Sequence, residues 1–212
     1  MDKLTHHGVY GVQNSMITLG RLYDVNVEYY AQINFTGFEK LIDAIGGVDV
    51  ESVSSFYLGD KWYAKEGMNH FNGAQALAFA RNRKNVSGGD NARGKNQMRV
   101  ITAVINKLTT STALFANYAD IMDSLQGMFV TNFTHEEIST LMKMQLSDMA
   151  TWEIHSYAVT GTGGSNTNYS LGKGVHSYVM YPNEDTVAHG VKLASRVIAG
   201  ETLTEEDMVL PE

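Results

Sequence analysis

VNVEYYAQINFTGFEKLIDAIGGVDVESV, residues 25–53, reads as strand, helix and strand in close order. Val25, Val27, Tyr29, Ala31 and Ile33 alternate with Asn26, Glu28, Tyr30 and Gln32. A period of two with one apolar face predicts a half-buried strand over 25–33. Asn34 or Thr36 then stands where a helix cap belongs, and Phe38, Leu41, Ile42 and Ile45 share one helical face. Gly46-Gly47 supplies a left-handed stop, and Val48–Val53 gives a second strand. This order predicts a βαβ unit and a layered α/β fold.

Upstream, His6 and His7 are adjacent, and neighbouring side chains on a regular element rarely reach one metal, so no metal site is assigned there. Asn14–Tyr23 reads as a short helix capped by Asn14. Downstream, residues 54–70 allow a hairpin, with Tyr57, Trp62 and Tyr63 as packing residues at a sheet edge. Then comes NGAQALAFARNRKNVSGGDNARGKNQMR, residues 72–99. Asn72 caps a small apolar helix that ends at Arg81 and Arg83. Residues 84–89 are a loop by composition, and a second helix is expected from about Ala92 to Leu108. Met98, Ile101, Val104, Ile105 and Leu108 should form its core face, with Arg93 and Gln97 at the edge of that face. Lys95, Arg99, Asn106 and Lys107 should point to water. Arg81, Arg83, Arg93, Asp90, Gln97 and a helix start near one another suit a phosphate or pyrophosphate, because guanidinium forks match phosphate oxygens. A structural ion-pair network centred on Asp90 explains the same residues equally well.

The C-terminal half reads as a helix over 113–125 and a Thr134…Glu137 capping box that opens another helix. The Met and Leu stripes on these two helices are core, or else one wall of a lipid pocket. A strand over 152–159, a long polar loop over 161–170 and a strand over 175–181 follow. Asn183 caps a last helix ended by Gly200. The chain of 212 residues suits one domain over 1–203, followed by an acidic tail, 204–212, that should fray. A net charge of -7 argues against binding to a nucleic-acid backbone, and the absence of cysteine excludes disulfides and thiolate metal sites. No run approaches the ~20 apolar residues of a membrane span, and no leader peptide is visible at Met1.

The chain resembles the LytR-CpsA-Psr family of cell-envelope glycopolymer transferases. The resemblance rests on Asp2-Lys3-Leu4-Thr5-His6, on Asn34-Phe35-Thr36-Gly37-Phe38 and on Asp43-Ala44-Ile45-Gly46-Gly47-Val48-Asp49-Val50. It rests further on Asn72-Gly73, on Ala76 to Arg83, and on Gly89-Asp90, Arg93 and Gln97. The resemblance implies an α/β/α arrangement with a central mixed β-sheet flanked by helices, here without its N-terminal strands. It implies transfer of a phosphate-linked glycopolymer, of teichoic acid or capsule type, from a polyprenyl-pyrophosphate carrier to peptidoglycan. Arg81, Arg83 and Arg93 would clamp the pyrophosphate, Gln97 would bond a phosphate oxygen, and Asp90 would orient an arginine or accept the acceptor's proton. Asp90 and Arg93 are thus the expected catalytic pair. Magnesium is expected for the intact family domain, with its aspartate ligands upstream of this chain, so weak activity or none is expected from the chain alone. An N-terminal membrane anchor would hold the domain on the outer face of the membrane. The family usually has an arginine immediately before the glutamine; here that residue is Asn96, with Lys95 beside it. Rival expectations are a binding module that holds a polyprenyl phosphate without chemistry, and a transcriptional regulator, which the acidic charge opposes.

Overall fold

The computed structural model describes residues 3–83, 89–112, 117–172 and 174–209, with residues 89–91 in backbone only. In chain order the elements are α1 (Val12–Tyr23), β1 (Ala31–Ile33), α2 (Phe35–Ala44), β2 (Val48–Ser52) and β3 (Phe56–Leu58). Next come β4 (Trp62–Ala64), β5 (Gly67–Phe71), α3 (Gly73–Arg81), α4 (Gly89–Thr110) and α5 (Tyr118–Ser124). The rest are β6 (Phe129–Thr131), α6 (His135–Asp148), β7 (Gly161–Thr167), β8 (His176–Pro182) and α7 (Glu184–Ile198). The chain is mixed α/β, as the sequence predicts. Among the described residues the strands form antiparallel pairs: β1 with β6, β2 with β5, β3 with β4 and β7 with β8. The strand–helix–strand order at 25–53 is therefore not a parallel crossover, because β2 takes β5 as its neighbour. Two compact units result: residues 31–154, and residues 1–30 with 155–212.

In the unit of residues 31–154 the local cues hold. Asn34 caps α2, its Oδ1 accepting the Gly37 N–H at 2.8 Å. Gly47 has φ +80°, and a Cβ there would lie 2.6 Å from His70 Nε2. Val48, Val50 and Ser52 face inward from β2, while Asp49 and Glu51 face out. Phe79 of α3 is fully buried, its ring centroid 5.5 Å from that of Phe56 and 5.3 Å from that of Phe71. The N-terminus of α3 is fastened twice. Asn72 and Gln75 form a capping box, and the Gly73 N–H donates to Asp43 Oδ1 at 2.8 Å. At Gly73 the helix start lies against α2 so closely that a Cβ would sit 2.1 Å from the Glu39 carbonyl oxygen.

The strand expected over 25–33 is regular only from Ala31 to Ile33, since β6 is a three-residue partner and offers no more backbone to pair with. Residues 152–159 are not a strand either. Trp152 is instead tied to α6, its Nε1 donating to Gln145 Oε1 at 2.7 Å. The capping box of Thr134 and Glu137 forms as expected and opens α6.

In the other unit, α1 begins at Val12, ahead of Asn14. The Asn14 side chain donates back to the Tyr10 carbonyl and does not cap the helix. The polar loop expected over 161–170 is mostly strand. Gly161–Thr167 pairs along its whole length with His176–Pro182. A strand so rich in glycine lacks side chains of its own to cover it; the rings of Tyr178 and Tyr181 lie over Gly163 and Gly164 and supply that cover. Asn183 caps α7 through the Thr186 N–H. Gly190 of α7 leaves room for the rings of Tyr23 and Tyr157, and burial pushes the Tyr157 hydroxyl above its ordinary pKa. The tail does not fray up to Val209. Leu203 is buried, Arg196 Nη1 donates to Asp207 Oδ1, and the Thr204 N–H donates to Asp207 Oδ2 at 2.7 Å.

Candidate functional site

The candidate site follows from how α3 ends. Its inner side, Ala76, Phe79 and Ala80, is buried in the core. On its other side Ala74, Leu77 and Ala78 make the apolar floor of a cleft of about 650 Å³, which Arg81 also lines. The β3–β4 turn, with Leu58, Asp60, Lys61 and Trp62, and Glu39 of α2 also line it. Asn82 leaves the helix in an extended conformation and donates from Nδ2 to the Tyr57 carbonyl at 3.0 Å. That bond pins the segment between the two arginines to β3. Arg81 and Arg83 are thereby both held at the cleft and both exposed. The Arg81 guanidinium sits 4.4 Å from the centroid of the Phe35 ring, a cation–π contact that orders it without neutralising it.

The cleft therefore has an apolar floor and a charged rim. Among its described lining residues, Lys61, Arg81 and Arg83 outnumber the carboxylates Glu39 and Asp60. An excess of cations beside apolar surface suits an amphiphilic anion.

The other expected site residues lie on α4, and of these Arg93 and Gln97 are outside the described lining of this cleft. Arg93 is half-buried and Gln97 is exposed; the side chain of Asp90 falls outside the described residues. The face of α4 is rotated from the one expected. Asn96 and Val100 are buried, Ala103, Val104 and Leu108 pack on the core, and Ile101 is 44% exposed. Arg99, expected in water, is half-buried and donates from Nη1 to Asn96 Oδ1 at 2.8 Å. Asn96 Nδ2 is buried with no hydrogen-bond partner. Periodicity assigned the face to the longer apolar side chains, but the small residues of α3 and the strand β2 let a shorter stripe approach closely.

Sequence reasoning missed Lys61, Asp60 and Glu39 as neighbours of the arginines. A hairpin within residues 54–70 was legible, yet nothing local says that its turn lines a cleft with the end of α3. The adjacent histidines are used separately: His6 Nδ1 meets Ser170 Oγ at 2.6 Å and His7 Nδ1 meets Thr18 Oγ1 at 3.0 Å. Magnesium, implied by the family resemblance, does not fit the residues described. No three of His, Cys, Asp and Glu come together among them as a metal-holding group, and the carboxylates among the described lining residues of the cleft are Glu39 and Asp60. The reaction proposed for this chain therefore contains no step through that ion.

Comparison with known proteins decides the family. The model of the LytR_cpsA_psr family matches residues 1–185. The chain belongs to the LytR-CpsA-Psr family. This LytR-CpsA-Psr chain is 36% identical over 143 residues to the polyisoprenyl-teichoic acid–peptidoglycan teichoic acid transferase TagU of Bacillus mycoides strain KBAB4. The alignment covers 67% of this chain and 46% of that protein, so the chain spans about half the length of the curated relatives it matches. The crystal structure of B. subtilis TagU superposes with a TM-score of 0.71 at 24% identity, over 96% of this chain and 80% of that one. A structure of TagT bound to LIIa-WTA superposes with a TM-score of 0.75 at 23% identity, over 93% and 72% of the two chains. The fold is thus the one these family members share. No helix among the described residues is long and apolar enough to cross a membrane.

Proposed function

We propose that this chain carries the phosphate-gripping part of a glycopolymer transferase. The donor is a glycopolymer on a polyprenyl-pyrophosphate carrier, and the acceptor is a hydroxyl of peptidoglycan. The observation that carries the reading is the pair Arg81 and Arg83, held on either side of the Asn82 anchor at the rim of an apolar-floored cleft. The rim would take the phosphates and the floor the first part of the carrier chain. In the reaction the acceptor oxygen bonds to the phosphorus that bears the glycopolymer, and the bond from that phosphorus to the carrier's phosphate oxygen breaks. Polyprenyl phosphate leaves with the bonding electrons, and the acceptor's proton passes to a base or to water. Two neighbouring guanidiniums suit this step, because charge on the phosphate oxygens is what must be stabilised. Arg93 and Gln97 would complete the clamp from α4, with Asp90 orienting an arginine. The matching names of family relatives support the substrate class. The domain would work at the outer face of the cell membrane.

The test is native mass spectrometry of the purified chain with a short polyprenyl phosphate, followed by a transfer assay with lipid-linked glycopolymer. Binding should fall about tenfold for Arg81→Ala and again for Arg83→Ala, as each removes a charge-assisted contact. Circular dichroism should be unchanged, since both side chains are exposed. Binding without transfer would leave a polyprenyl-phosphate-binding module. Wild-type affinity in the double variant would end the reading of these arginines as the clamp.

A further inference from the structure

Arg81 and Glu39 carry opposite charges and line one cleft, yet they do not pair. Among the described residues neither side chain takes part in an ion pair. The Arg81 guanidinium rests on an aromatic ring, its Cζ 4.4 Å from the centroid of Phe35. Phe35 is 59% exposed, which by itself is ordinary for a surface apolar residue. Its position is not ordinary. It is the first residue of α2, and Glu39 follows one turn later, so the two side chains share a face of the helix. The turn that carries Phe35 is fastened on two sides. Asn34 caps it and donates its own N–H to the Met128 carbonyl at 3.0 Å. Gly37 lies so close to Met128 that a Cβ there would stand 2.8 Å from the Met128 Cβ. The core contacts of α2 belong to Phe38, Leu41, Ile42 and Ile45 just beyond it, and Phe35 is not among them.

We propose that Phe35 is a positioning residue: it seats the Arg81 guanidinium on its ring and keeps it from the Glu39 carboxylate, so that the charge stays available to an anionic ligand. The inference rests on the proposed reading of Arg81 as a phosphate contact and adds the group that prepares it. At an exposed site a cation–π contact and a salt bridge are of similar strength, so the better-held partner decides where the guanidinium rests. A ring on a capped helix start holds the cation without adding negative charge. A carboxylate would take the guanidinium N–H donors in the same two-point manner as a phosphate, and would compete with it. Holding a long side chain in one place also lowers the ordering cost that a ligand must meet on binding.

The first measurement needs no ligand. In nuclear magnetic resonance spectra of the 212-residue chain the Phe35 ring should shift the Arg81 side-chain protons upfield, and Phe35→Leu should abolish that shift. Glu39→Gln should then move the Arg81 Nε–H signal far more in the Phe35→Leu chain than in the wild type. The second measurement is calorimetric titration with farnesyl phosphate. Phe35→Leu should weaken binding about threefold, the size of an exposed cation–π contact. Phe35→Trp should bind at least as tightly as the wild type, because an indole face holds a cation best. Adding Glu39→Gln to Phe35→Leu should return the lost affinity and gain more there than in the wild type, a coupling that a merely structural Phe35 would not show. Wild-type affinity in Phe35→Leu beside weakened binding in Arg81→Ala overturns the inference and leaves the phosphate reading standing. Affinity lost in Phe35→Leu and not returned by Glu39→Gln would make Phe35 a direct ligand contact and likewise overturn it. Wild-type affinity in Arg81→Ala would remove the phosphate reading itself, and the seat's purpose with it.

Discussion

At the scale of single residues, several positions that carry the family resemblance have a structural task visible in the geometry. Asp43 accepts the Gly73 N–H, and Gly47 leaves room for His70. Gly73 brings two helices into backbone contact, so Gly73→Ala should destabilise the unit by about 3 kcal/mol, as a Cβ 2.1 Å from a carbonyl cannot be housed without moving α3. Urea unfolding measures this; an unchanged midpoint would show that the helices slide apart freely. Asp207 gives a prediction about pH. Hydrogen bonds from Arg196 and the Thr204 N–H hold its carboxyl down at about 2, well below the ordinary carboxylate value. A group whose folded pKa is lowered stabilises the fold above its unfolded pKa and loses that contribution as pH falls through the folded one. Stability should therefore decline from the ordinary aspartate range down to about pH 2. Asp207→Asn should flatten that part of the acid limb in a thermal-melt series.

At the scale of elements, Gln145 shows what holds helices together here. It is 7% exposed and donates from Nε2 to the carbonyls of Thr109 and Ala150 at 3.0 and 2.8 Å while accepting from Trp152. Gln145→Leu would strand two carbonyls and an indole N–H, at a cost of about 2–4 kcal/mol. The check is urea unfolding followed by Trp152 emission, and a change in folded-state emission should accompany the loss. The helix caps at Asn34, Asn72, Thr134 and Asn183 were all legible, since each is a bond reaching no further than three residues along the chain. The face of α4 was legible only in part: Val104 and Leu108 pack on the core as expected, and Ile101 does not. A buried Asn96 with Arg99 folded onto it defeats any rule that ranks side chains by hydropathy alone. The strand in GTGGSNT was illegible for a similar reason, because its cover comes from tyrosines on the partner strand.

At the scale of the whole molecule, the two compact units imply local independence. Gln145→Leu acts in one and Asp207→Asn in the other, so their effects on stability should add in the double variant. A marked departure from additivity in urea unfolding would show the units to be coupled. By itself the sequence determined the α/β class, the caps at Asn34, Asn72, Thr134 and Asn183, the family and the arginine pair at the end of α3. These are matters of local hydrogen bonding, periodicity and ordered motifs, all carried within a few residues. Only the tertiary structure decided that β2 pairs with β5, that Lys61 and Asp60 line the same cleft as Arg81, and that the tail is fastened by Arg196. Such choices are made by packing between segments distant in the chain, where the partner's shape and spare hydrogen-bonding groups select among alternatives that local preference leaves equal.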